Sequence, residues 1–244
     1  MQITVLGVGE ASDPAERNAA ALVASADYRL LIDCGHSVPP ELWRRCPDPD
    51  SIDSIIFTHH HPDHCFGLVP WLISLADDGR RKPLEIITTP LGIDHLKRLC
   101  EIGMVPHDAM SPFPISWSDI SGRDRVGPFV LACARTCHSV PNHAIRLEAD
   151  GARFAYSGDG RPTAESRELF SNVDLLFHEC YMAQDAPDMR HHADLVTVRS
   201  IAAPAQIGIY HIRKDQRQLA IARLAGDPRL FVAQCGSQFR LGAR

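Results

Sequence analysis

The stretch FTHHHPDHCFG, residues 57–67, places five side chains of metal-ligand type in six positions: His59, His60, His61, Asp63 and His64. Imidazole nitrogen and carboxylate oxygen suit zinc and related divalent cations, and catalytic sites of this kind keep one coordination position open for water. His59 and His61 are two residues apart. In extended backbone they point to one side and can share a cation, while His60 points to the other. Pro62 fixes its own φ and turns the chain, carrying Asp63 and His64 toward a second position. Further ligand types stand at the ends of other strand-like runs: His138 after FVLACAR, Asp159 after RFAYS with a permissive glycine behind it, and His211 after IGIY. Taken singly, each of these is more often a structural residue than a ligand. Together they supply what a metal centre needs from the mouths of separate strands.

The elements that must position these groups follow from the hydrophobic pattern. QITVL, ALVAS, RLLID, SIIFT and LEIIT read as strands in the first half, and FVLACAR, AIRLEA, RFAYSG, DLLFHE, IGIYHI and LFVAQ in the second. Helical spacing runs through Phe66–Ala76, Pro90–Glu101, Thr163–Phe170, Asp194–Ala203 and Asp215–Leu224. The histidine cluster thus falls on a strand-to-helix connection, where functional groups are commonly presented. Hairpin-like strands early and alternating strands and helices later predict an α/β protein with mixed sheets covered by helices, in one domain over residues 1–244. GVGE after the first strand invites a dinucleotide-binding reading. The third glycine of that fingerprint falls on Ser12 and a hairpin follows instead of a helix, so a tight turn is the better account.

Composition narrows the partners. The formal charge of −5, with no basic run longer than GRRK, weighs against extended contact with nucleic acid. No apolar run approaches the roughly 18 residues of a membrane helix, and the first residues lack the pattern of a secretory leader, so a cytoplasmic protein is expected. The eight cysteines are scattered, with no Cys-x-x-Cys pair, and read as reduced thiols.

HHHPDH together with His138, the aspartate of SGD and the histidine of YHI resembles the metallo-β-lactamase superfamily in its dinuclear form. The likeness runs from VLGVGEASDPAERNAA and LLIDCG through YHI, nearly the whole chain. It implies an αβ/βα four-layer sandwich with two divalent metal ions at one edge of the two sheets. Zinc is expected, with manganese or iron as alternatives. By this resemblance His59, His61 and His138 hold one ion, Asp63, His64 and His211 the other, and Asp159 bridges them.

HSVPNHAIRLE, HEC and HHADLVTV are similar to the ribonuclease Z-like phosphodiesterases. Cys180, His192, Asp194, Leu195, Thr197 and Val198 match the C…H-x-D-L-x-T-V arrangement of phosphoribosyl cyclic phosphodiesterases of the carbon–phosphorus lyase pathway. The likeness implies a small phosphodiester or cyclic phosphate as substrate, attacked by a water that two cations acidify. Asp63 would ligate a metal and orient the water, and His192 would protonate the leaving alkoxide, with His191 taking that role instead if the match shifts by one residue. Glu179 would orient a histidine, His178 would support the site from outside, and Asp33 would accept a hydrogen bond from a ligand histidine. A homodimer is also implied. Two further activities stay open: tRNA 3′-end cleavage, for which the short interval between His138 and Asp159 leaves no room for a tRNA-gripping arm, and hydrolysis of a lactone, thioester or β-lactam carbonyl on the same metals. A metal-holding binding protein is the non-enzymatic alternative.

Overall fold

Several strands of this chain, QITVLG, AALVAS, SII and LLFHE among them, are buried along nearly their whole length, as expected where both faces of a sheet are covered. In QITVLG, Ile3 and Val5 face one way and Leu6 the other; in YRLLI, Leu30 and Ile32 oppose Leu31. Each parity class joins a different apolar layer. The computed structural model describes residues 1–202 and 204–242. In chain order its elements are β1 (Gln2–Gly7), β2 (Ala20–Ser25), β3 (Tyr28–Ile32), α1 (Pro39–Arg45), β4 (Ser54–Ile56), α2 (Pro62–Cys65), α3 (Leu68–Asp77), β5 (Leu84–Thr88), α4 (Pro90–Ile102), β6 (Ile115–Asp119), β7 (Arg125–Val126), β8 (Phe129–Cys137), β9 (His143–Ala149), β10 (Ala152–Tyr156), β11 (Arg161–Pro162), α5 (Ala164–Leu169), β12 (Leu175–Glu179), α6 (Leu195–Arg199), β13 (Gln206–Tyr210), α7 (Arg217–Leu224), β14 (Leu230–Val232) and β15 (Gln238–Arg240).

Two mixed sheets result. One runs β15-β1-β2-β3-β4-β5-β6; the other runs β11-β8-β9-β10-β12-β13-β14, with β7 paired to β8. In each, antiparallel hairpins give way to parallel strands: β3 to β6 in the first, and β10, β12, β13 and β14 in the second. Ile3, Val23 and Ile56 of one sheet and Phe129, Leu147, Phe154 and Phe177 of the other close the central layer. Trp71 and Leu96 of α3 and α4 cover the outside of the first sheet, and Leu169, Val198 and Ala220 of α5, α6 and α7 cover the second. Helix, sheet, sheet and helix are therefore stacked as the resemblance implies.

The structure redraws several boundaries. SIIFT is strand only over Ser54–Ile56, and the expected helix 66–76 is α3, preceded by a separate one-turn helix, α2, that begins at Pro62. Proline suits the first helical position because its missing N–H would be unpaired there anyway. Asp63 and His64 consequently stand on a helical turn and not on a loop. Asp194 is the N-cap of α6, its side chain accepting from Thr197 N; α6 ends at Arg199, and Ala203 lies outside the described residues. Helix α7 starts at Arg217. Helix α1 and strands β6, β7, β11 and β15 were absent from the sequence reading. All eight cysteines are free, and no helix among the described residues is long and apolar enough to cross a membrane.

Candidate metal centre

The chemistry-bearing residues converge where strands of both sheets end. Asp33 follows β3, His59 and His61 follow β4, His138 follows β8, Asp159 follows β10, and His211 follows β13. Ligand sites of open α/β sheets gather outside the carboxyl ends of strands for the same topological reason. Asp33 (φ 58°) and His211 (φ 53°) both adopt the left-handed conformation, which a non-glycine residue enters at a cost of about 1–3 kcal/mol. Backbone bonds hold them there: Asp33 N donates to Ile56 O at 2.9 Å and His211 N to Val8 O at 2.9 Å. Gly158 (φ 58°) sets up the turn carrying Asp159. A Cβ added to it would lie 2.2 Å from Asn142 Oδ1, the atom that accepts from Asp159 N at 3.1 Å. Gly158→Ala is expected to destabilise by about 1–3 kcal/mol, lowering Tm by roughly 2–12 °C in a thermal melt, because it strains the backbone and displaces Asn142 together.

Two groups of donors share one carboxylate. His59, His61, His138 and Asp159 can each offer an atom such that all lie within 4.8 Å of one another, and so can Asp63, His64 and His211. Asp159 Oδ2 lies 3.8 Å from His59 Nε2, 3.9 Å from His138 Nε2 and 3.4 Å from His211 Nε2, and Oδ1 lies 3.5 Å from His64 Nε2. His211 Nε2 also meets Asp63 Oδ2 at 3.1 Å, and His61 Nδ1 lies 3.1 Å from His138 Nε2. His60 turns away as parity predicts: its Nε2 bonds Thr88 Oγ1 at 2.8 Å, and its ring packs edge-on against His95.

Three of the histidines are tied at Nδ1 by an acceptor: His64 by Asp33 Oδ2 (2.8 Å), His138 by the His191 carbonyl (2.7 Å) and His59 by Thr58 Oγ1 (3.1 Å). Such a partner fixes the tautomer and leaves the Nε2 lone pair free. His59 Nε2, His64 Nε2 and Asp159 Oδ1 are buried at the centre of the cluster without a hydrogen-bond partner. Buried polar atoms are rarely left unpaired, and three converging lone pairs fit a divalent cation by both position and chemistry.

Charge is finely balanced here. Burial pushes the Asp63 carboxyl up, yet His64 and the hydrogen bond from His211 hold it down to about 2. Burial and the neighbouring His64 keep the His59 imidazole well below its usual range, in the neutral form that ligates. His64 moves the other way: burial would lower it, but Asp159, Asp63 and Asp33 outweigh that and raise it.

At the rim, His192 Nδ1 faces Glu179 Oε1 at 3.4 Å, an ion-pair distance without hydrogen-bond geometry. Its ring stacks against both Tyr181 (centroids 4.6 Å apart, planes 23° apart) and His211 (5.7 Å, 15°), which also meet each other at 6.1 Å. Burial lowers the imidazole, but Glu179 reverses this and lifts it to about 9. Asp159, His192 and His211 form a third group of converging donors. His191 contributes its backbone carbonyl, not its ring. His178, one residue before Glu179 on β12, has the opposite parity and packs edge-on against Phe170 in the outer apolar layer, away from the cluster. The sequence reading missed Thr58, whose hydroxyl donates to Asp33 Oδ2 at 2.8 Å, and Asn142.

Fold and site together define the class, that of the metal-dependent hydrolases of the metallo-β-lactamase superfamily, on their ribonuclease Z-like branch. Within it, the chain belongs to the Anti-Pycsar protein Apyc1 family, whose model matches residues 1–234. It is similar to the ribonuclease Z of Clostridium kluyveri, 29% identical over 185 residues, a match spanning 72% of this chain and 56% of that enzyme. The probable metallo-hydrolase YhfI of Bacillus subtilis is 27% identical over 217 residues, 85% of this chain and 84% of that one. The solved structure of YhfI, a metallo-beta-lactamase fold protein, matches with a TM-score of 0.77 at 21% identity over 98% of both chains. A diphosphatase from the PhnP family matches with a TM-score of 0.78 at 18% identity over 98% of this chain and 97% of that one.

Proposed function

We propose that the chain is a metal-dependent phosphodiesterase acting on a small phosphodiester or cyclic phosphate. The observation that carries this reading is the Glu179–His192 pair beside the ligand cluster, an imidazole whose charged form the carboxylate favours and which would serve a departing alkoxide. His59, His61 and His138 would hold one divalent cation, Asp63, His64 and His211 a second, and Asp159 would bridge them. Zinc suits these donors. Cations held there supply Lewis acidity to a phosphoryl oxygen and acidify water near neutral pH.

The chain's own residues then have distinct tasks. The Asp63 carboxylate accepts from the attacking water and orients it toward phosphorus. His192 delivers a proton from its remaining ring nitrogen to the departing oxygen, and Glu179 beside Nδ1 keeps the ring charged until transfer. Asp33 and Thr58 hold His64 and His59 in register, outside the ligand set. A small substrate is favoured because only a turn and the β9–β10 hairpin lie between His138 and Asp159. That leaves no projecting arm with which to grip a tRNA.

The test is metal analysis of the purified protein followed by a substrate panel. Bis-(p-nitrophenyl) phosphate and cyclic phosphates are expected to turn over, and lactones, thioesters and nitrocefin to do so at no more than about a hundredth of that rate, a difference of roughly 2.7 kcal/mol in transition-state stabilisation. Faster carbonyl hydrolysis would replace the phosphodiester reading by a carbonyl one on the same metals.

A further inference from the structure

Arg161 directly follows the Asp159–Gly160 turn, and in the short β8–β11 ladder it pairs with Cys137, next to His138. Its guanidinium, with only 24% of the side chain exposed, reaches across to the segment 182–194. Nη1 donates to the carbonyls of Met189 (2.8 Å) and Ala186 (3.2 Å), Nη2 donates to Thr197 Oγ1, and Nη1 lies 3.5 Å from Asp194 Oδ2. Asp194 is buried and completes the clasp: Oδ2 accepts from Ala186 N at 3.0 Å and Oδ1 from Thr197 N at 2.7 Å. On its inner side the same segment is tied to Glu179 by Ala193 N (2.8 Å) and to His138 through the His191 carbonyl. Its only strand-type pairing is the isolated bridge between Met182 and Asp194.

A segment with so little backbone pairing takes its shape from side-chain contacts. We infer that Arg161 is a positioning residue that clasps the 182–194 segment and so fixes the His192 imidazole at the edge of the cluster. The inference rests on the reading of His192 as proton donor. Arginine is required because one planar fork must satisfy two carbonyls and a hydroxyl at once, while lysine offers a single point charge.

The test uses metal-reconstituted protein and two readouts, hydrogen exchange of peptides covering 182–194 and steady-state kinetics on bis-(p-nitrophenyl) phosphate. In Arg161→Gln, exchange in that segment is expected to accelerate while the β8–β10 and β12–β13 ladders stay protected. Outer-shell partners typically contribute about 10–100-fold, so kcat should fall by roughly that factor with KM little changed. In a His192→Ala background the same substitution should cost several-fold less, because residues acting through one another are not additive. Thr197→Val, which removes one contact of the clasp, should shift both readouts in the same direction by less, and serves if Arg161→Gln does not fold. Unchanged exchange in 182–194, or an undiminished cost in the His192→Ala background, overturns the inference. Normal turnover in His192→Ala alone would overturn the donor reading instead, and the exchange result would still decide whether Arg161 holds the segment.

Discussion

Replacing His192 with alanine is expected to lower phosphodiester turnover by roughly 100- to 10,000-fold, the range a positioned general acid contributes. Bound metal should be unchanged, since the four-donor group around His59 and the three-donor group around His64 are complete without this residue. The size of the loss should depend on the leaving group. A nitrophenolate departs readily without a proton, whereas an alkoxide does not, so an alkyl phosphodiester should lose more than bis-(p-nitrophenyl) phosphate. Glu179 strengthens the expectation, because its carboxylate 3.4 Å from Nδ1 lifts the imidazole to about 9 despite burial, so the ring enters the reaction already charged. Equal losses on good and poor leaving groups, with metal retained, would take protonation away from His192. Loss of metal along with activity would mean the ring belongs to the ligand set.

The contrast between His192 and its neighbours shows what was legible in the sequence. Parity separates His59 and His61 from His60, and the structure gives His60 a partner of its own in Thr88. The same rule, applied to DLLFHE, sends His178 away from Glu179, whereas the resemblance of HEC to the ribonuclease Z-like enzymes gives it a supporting place outside the site; in the structure it lies against Phe170. Mixed sheets covered by helices were readable because many apolar runs are nearly continuous, whereas the four-layer stacking followed from the family resemblance. Strand β15 was not readable, since Gln238–Arg240 is short, polar and largely exposed, and it is a strand only because β1 offers it a ladder. Thr58, Asn142 and Arg161 were illegible for a different reason. They are ordinary residue types whose importance lies in what they touch across the fold, over as many as 36 residues of chain between Arg161 and Thr197. Donor chemistry concentrates in a motif, whereas the contacts that aim it are spread through tertiary structure.

Asp159→Asn should have the most severe effect on the metal centre, because among the described residues this carboxylate alone lies within 4 Å of both histidine groups. The substitution conserves shape and removes the charge, and the backbone contacts of Asp159, to Asn142 and Thr136, do not involve the carboxylate. Outer-shell partners of a metal ligand are worth about 10–100-fold in affinity, so removing the shared inner carboxylate should cost about 100-fold or more in affinity and abolish measurable turnover. Thermal unfolding reads this without any substrate. A ligand at about 100 times its Kd stabilises by about 2.7 kcal/mol, which for a protein of this size raises Tm by roughly 5–11 °C. The unsubstituted protein should therefore lose that increment when a chelator strips it and regain it on add-back, while Asp159→Asn should melt at nearly the same temperature with or without metal. His60→Ala is the matched control: it deletes a histidine from the same motif, but one aimed at Thr88, so its metal-dependent increment should persist. If Asp159→Asn shows the full increment, Asp159 does not hold the two groups together, and the centre must be rebuilt around Asp63, whose carboxylate reaches His64 at 3.5 Å and His211 at 3.1 Å.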